Sequence, residues 1–156
     1  MAGTNANGAG VFWSDKNGKL RVGVSTFTDG LAQLIFRDND GKLRIVAQSI
    51  ADGRANIGLA DADGKERVVA QTSSTGRAGF LLSDKDGKAR MMAQTGVDGS
   101  ALFGLSDRDG TLRIRAGSYA DGGAELVWYD KHSKPRIGAG TNADGTVLLP
   151  TNDLKK

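Results

Sequence analysis

Aspartate recurs at Asp15, Asp38, Asp61, Asp84, Asp107, Asp130 and Asp153, each 23 residues from the next with no insertion between them. A fixed period of this length marks a tandem array, in which each unit is one supersecondary element that covers its apolar surface against its neighbours. Two other series keep the same frame. Alanine lies six residues before the first six aspartates, at Ala9, Ala32, Ala55, Ala78, Ala101 and Ala124, and arginine six residues after, at Arg21, Arg44, Arg67, Arg90, Arg113 and Arg136. The array therefore runs from about residue 9 to residue 153, and the 156 residues read as a single repeat domain, 1–156.

Each unit contains two glycine turns, typified by Asp63-Gly64 and Asp52-Gly53, separated by short segments in which apolar residues alternate with others. Alternation with a period of two is a strand pattern, and glycine turns between such strands mark β-hairpins. Gly is abundant at 23 residues and Pro scarce at 2, which suits tight turns. Helix is excluded because no stretch between turns exceeds about ten residues and the apolar period is not 3.6.

Loop lengths follow from side-chain parity, since a one-residue slip turns a strand's apolar set to the opposite face. Placing Val11 and Trp13 on one face with Val22 and Val24 pairs Trp13 with Val22 and Val11 with Val24. This requires an even loop, most simply Asn17-Gly18 in a type I′ turn, whose two positive φ angles these residues tolerate. Keeping Leu34 and Phe36 on the same face pairs Thr26 with Ala32 and requires an odd loop, Thr28-Asp29-Gly30, with glycine in the left-handed position. One even and one odd loop would account for the odd period.

The predicted fold is all-β: an up-and-down antiparallel meander of about 12–13 strands, built from six 23-residue hairpin repeats. One face carries a row of Leu34, Ile57, Phe80, Phe103 and Leu126 beside Phe36, Leu59, Leu82, Leu105 and Trp128, with small alanines toward one rim. The other face carries the arginines. Open twisted sheets rarely exceed about ten strands, so the first expectation is a curled or closed barrel with the apolar face inward. The alternatives are a β-solenoid and a propeller-like ring completed by oligomerisation.

Composition narrows function mainly by exclusion. The 21 basic and 18 acidic residues alternate along the chain to a net charge of +3, with no one-signed patch to attract nucleic acid. The longest apolar runs, such as Ala78 to Leu82, are too short for a membrane helix, and the first residues lack a secretory pattern, which reads as a mature, soluble chain. Absence of cysteine leaves the compartment open. The Asp-x-Asp-Gly strings at 38–41, 61–64, 84–87 and 107–110 begin like calcium loops, but Lys42, Lys65 and Lys88 put a cation where a ligand is wanted, so they read as turns. His132, the only histidine, sits in the degenerate turn Lys131-His132-Ser133-Lys134 with no second ligand. No nucleophile elbow or phosphate loop occurs, so neither enzyme activity nor a cofactor nor a metal site is expected.

Two features stand out as candidate surfaces. A second apolar stripe lies on the arginine face, where Ile35, Val46, Val69, Leu81 and Met92 would form an oligomer or partner interface. Trp13 and Trp128 occupy the same slot in the first and sixth units and are expected as core pieces near the seam of a closed barrel. The sharper reading makes them, with Tyr129 and Arg113, contacts for a glycan or other ligand.

The string Asp-x-x-Gly-Lys-Leu at 15–20 and 38–43, with Tyr129-Asp130, resembles the YD repeats of large bacterial shell-forming toxins, which are hairpin arrays. Those repeats carry tyrosine before the aspartate regularly, whereas here one unit does, and their period differs, so the resemblance assigns no family. The function class that fits is a non-enzymatic structural or assembly module that self-associates as a homo-oligomer. The alternative is a multivalent, lectin-like binder. Against the latter, the loop-tip residues Phe27, Ile50, Ser73, Gly96, Tyr119 and Asn142 differ from unit to unit.

Overall fold

The computed structural model describes residues 2–5 and 8–148, so Asp153 and the end of the array lie outside the described residues. Fourteen strands follow one another in a single sheet in strict chain order. A short edge strand, β1 (Ala2–Asn5), precedes the array. The array itself contributes β2 (Gly8–Ser14), β3 (Leu20–Phe27), β4 (Ala32–Arg37), β5 (Leu43–Ser49), β6 (Ala55–Ala60), β7 (Glu66–Thr72) and β8 (Ala78–Ser83). It continues through β9 (Ala89–Thr95), β10 (Ala101–Ser106), β11 (Leu112–Ser118), β12 (Ala124–Tyr129), β13 (Pro135–Thr141) and β14 (Val147–Leu148). Every pairing is antiparallel, which is the meander expected from the repeat.

The facing rule holds throughout. Trp13 pairs with Val22, Val11 with Val24 and Thr26 with Ala32, as parity demands. The means differs from the type I′ expectation in the first loop. Both loops use the same three-residue turn: Gly18 N–H donates to Asp15 O at 3.0 Å and Asp15 N–H to Lys19 O at 2.9 Å, while Gly30 N–H donates to Phe27 O at 3.0 Å and Phe27 N–H to Leu31 O at 2.7 Å. Only the last residue of each turn is left-handed, with φ of 79° at Gly18 and 86° at Gly30. A type I′ turn would also need Asn17 at positive φ, and the Asp15 carboxylate removes that need. Its Oδ1 accepts from Asn17 N–H at 2.9 Å and Lys19 N–H at 3.1 Å, which holds the turn in the ordinary right-handed form.

Parity is then restored by a bulge. Ser14 pairs with Leu20 but Trp13 with Val22, so one extra residue sits opposite Ser14. The same shift recurs in the equivalent hairpins of the following units, at Phe36/Arg37, Leu59/Ala60, Leu82/Ser83, Leu105/Ser106 and Trp128/Tyr129. The recurrent arginine is part of that bulge. Two identical odd loops plus one bulge residue, rather than one even and one odd loop, make the period odd.

The sheet does not close into a barrel. Among the described residues β1 pairs only with β2 and β14 only with β13, and each strand touches nothing but its sheet neighbours. No solenoid coil and no propeller blade forms either. The expectation of closure rested on the rarity of open twisted sheets of more than about ten strands. Every connection between successive array strands is a tight turn, so no linker is long enough to lay a second layer over the first. The protein is a one-layer sheet without an interior, and among the large apolar side chains of the described residues only Ile35, at 7% exposure, is buried.

Candidate functional site

On a one-layer sheet the question of a site becomes a question of two faces. The face expected to be dry carries three rows that run across all the array strands. Its rim nearest the Thr28-Asp29-Gly30 class of turn is small: Ala9, Thr26, Ala32, Ser49 and their equivalents. The middle row alternates large residues on one strand with alanine on the next, as in Ile57, Ala70, Phe80 and Ala93. The opposite rim is large throughout, from Trp13 and Val22 through Leu82 and Met91 to Trp128 and Ile137. No charged side chain belongs to any of these rows.

That face is uncovered. Trp13 is 50% exposed, Ile57 52% and Ile137 54%, and Phe36, Phe80, Leu126 and Trp128 are also exposed. Its relief is regular. The large rim forms a ridge, and beside it three shallow depressions of about 530, 680 and 670 Å³ follow one another along the small rim, abutting at Val24 and at Ala78. Together they make an apolar trough from the start of the array into its last third.

The other face is largely packed by its own side chains, although Phe12 at its start is exposed. The midline pairs Phe12–Gly23, Ile35–Val46, Gly58–Val69, Leu81–Met92, Gly104–Arg115 and Val127–Gly138 form as the register requires. Large residues lean into the glycine notches. A Cβ at Gly58 would lie 3.1 Å from Val46 Cγ1 and 2.5 Å from Glu66 Oε1, and one at Gly104 3.0 Å from Leu112 Cδ1. The stripe singled out as an interface, Ile35, Val46, Val69, Leu81 and Met92, is therefore a buried to half-buried packing row.

Electrostatics sit at the turns beside this second face. In each of the first six units the aspartate faces the bulge arginine six residues on, as Arg21–Asp15 at 3.6 Å, Arg44–Asp38 at 3.6 Å, Arg113–Asp107 at 3.2 Å, and the close pairs Arg67–Asp61, Arg90–Asp84 and Arg136–Asp130. Several of these guanidinium groups also reach the following hairpin: Arg21 Nε donates to Arg37 O at 2.9 Å, Arg90 to Arg108 O at 2.9 Å and Arg113 Nε to Tyr129 O at 2.9 Å. Partial desolvation pushes the carboxyls of Asp15, Asp38, Asp61, Asp84 and Asp107 up, but turn N–H donors and the arginine outweigh it and hold each below its ordinary value. For Asp130 the Lys134 N–H leads, and with Arg136 it brings the carboxyl down to about 2.

The structure places the candidate ligand residues apart. Trp13 and Trp128 occupy the ridge at opposite ends of the array, on β2 and β12, and there is no barrel seam to unite them. Tyr129 faces the other side, where Arg115 stands 6.0 Å from its ring centroid, and Arg113 is held by Asp107 and the Tyr129 carbonyl. His132 donates its backbone N–H to Asp130 Oδ1 at 2.8 Å as part of the turn. The Asp-x-Asp-Gly strings behave as turns, since both oxygens of Asp61 are engaged, one by Asp63 and Lys65 N–H and one by Arg67. Among the described residues no group of three His, Cys, Asp or Glu side chains could hold a metal ion.

What sequence reading missed is the trough. Its signal was present in the regular alanines Ala47, Ala70, Ala93, Ala116 and Ala139, which alternate with large residues on the middle row. No protein-family model matches the chain, and no curated protein matches it.

Proposed function

We propose that this protein is a non-catalytic structural module that works as an assembled repeat sheet. The carrying observation is a charge-free apolar face, open along the whole array. A folded monomer of 16.3 kDa is expected to expose about 7,500 Å². This chain exposes 10534 Å², an excess of roughly 3,000 Å² over that scaling. Stable obligate interfaces bury about 2,000–5,000 Å² in total, or about 1,000–2,500 Å² per partner, so the excess on one chain leaves room for a contact of that kind. The Asp–Arg clamps support the same role, because those of Arg21, Arg67, Arg90 and Arg113 tie their hairpin to the next and stiffen the repeat as a spacer. A glycan-binding role has less support, since its aromatic candidates lie on different faces and at different ends.

Acrylamide quenching of tryptophan emission tests this reading, because both indoles sit on the ridge. In the assembled wild type they are expected to be shielded, and in a Phe80→Asp, Phe103→Asp variant that keeps its β-sheet circular dichroism they become freely quenched. Wild-type indoles as accessible as free tryptophan would overturn the proposal by themselves, whatever the variant does.

A further inference from the structure

We infer that the occupant of the apolar face is a second copy of this chain, running parallel to the first, with the ridge of each copy seated in the trough of the other. This deepens the assembly reading and rests on it. The first support is shape. Ridge and trough lie side by side on one face and extend along the array, the trough from its start into its last third, so a second copy supplies a matching ridge along that length. The second is chemistry. Neither rim carries a charge, so face-to-face contact strands no ion away from water. The third is area, since the exposed excess on each copy is larger than the share of about 1,000–2,500 Å² per partner that a stable obligate pair buries.

The relief also selects the orientation. Two copies can face each other through rotation about the long direction of the sheet or about the strand direction. Rotation about the strand direction runs the arrays antiparallel and sets ridge on ridge, with Trp13 of one copy near the large rim at the far end of the other. Rotation about the long direction keeps equal units together and brings the large rim of one copy over the Ala/Ser/Thr rim of the next. Only the second arrangement fills the trough. The same ridge-over-trough contact closes around two copies or around three, and the orientation is common to both.

The chain has no cysteine, so labels can be placed at will on exposed turn residues away from the face. Lys16→Cys and Thr28→Cys chains, spin-labelled, mixed under denaturant and refolded together, report the orientation by pulsed electron resonance. The Lys16 turn lies at the ridge side of the first unit and the Thr28 turn at the trough side. A parallel assembly brings the two labels within roughly 20 Å, set by sheets about 10 Å apart plus the tethers. An antiparallel assembly separates them by about nine strands, roughly 43 Å at 4.8 Å per strand. A population at the long distance without the short one overturns the parallel arrangement but leaves the assembly reading standing. A monomeric mass with no distance between chains overturns both.

Discussion

Asp61 shows how much one side chain of the repeat does. One carboxylate oxygen shapes the turn through Asp63 and Lys65 N–H, and the other meets Arg67, whose guanidinium reaches on to the Lys85 carbonyl at 2.9 Å. Asp61→Asn keeps an acceptor for the turn and loses the charge, whereas Asp61→Ala loses both. Thermal melts are therefore expected to rank wild type above Asn above Ala, and equal melting of Asn and Ala variants would contradict the turn role. The lowered carboxyl pKa values carry a sign as well. Groups depressed on folding stabilise the fold above their unfolded value and lose that contribution as pH falls through the folded value. Stability is thus expected to be flat above about pH 4 and to decline toward the value of about 2 at Asp130, checked by denaturant midpoints across that range. A midpoint that holds unchanged to pH 2 would count against the clamps. Ser133 is the only non-glycine at positive φ among the described residues, at 60°, in the turn where the other units use glycine. Ser133→Gly is expected to stabilise by about 1 kcal/mol by relieving left-handed strain, read as a raised melting temperature.

At the scale of strands and turns, the sequence carried the pairing within the array and the turn geometry in part, while the edge strand β1 before the array was not anticipated. Alternation in Val11, Trp13, Val22 and Val24 sufficed to set register, because facing is a matter of parity and survives an error in turn type. The bulge was not legible. A two-residue turn and a three-residue turn with a bulge leave the same residues paired from Trp13 and Val22 onward, and the Asp15 side-chain bonds favour the second. The hairpin is also the unit of independence, since each strand touches only its sheet neighbours. Deleting one whole period, residues 61–83, removes one bulge and both turn classes together and leaves the remaining pairs in frame. The shortened chain is expected to retain β-sheet circular dichroism with a cooperative melt at somewhat lower temperature. Complete loss of folding would show that the units depend on distant partners.

For the whole molecule, the same sequence pattern led to a wrong closure and a right composition. The apolar rows through Leu34, Ile57, Phe80, Phe103 and Leu126 do share one face, but nothing among the described residues covers them. A hydrophobic pattern says which residues avoid water and is silent on whose surface replaces it. The candidate site is legible only to that extent: alternation marks its residues as apolar and leaves open what covers them, while on the opposite face glycine notches let Val46 and Met92 pack within the chain. The central claim is that the isolated chain is an incomplete structure whose exposed sheet face is covered by its own copies. Its most direct test is the solution mass of the wild-type protein by multi-angle light scattering across a dilution series. The expected result is a defined multiple of 16.3 kDa, and a folded species that stays at 16.3 kDa at every concentration would contradict the account.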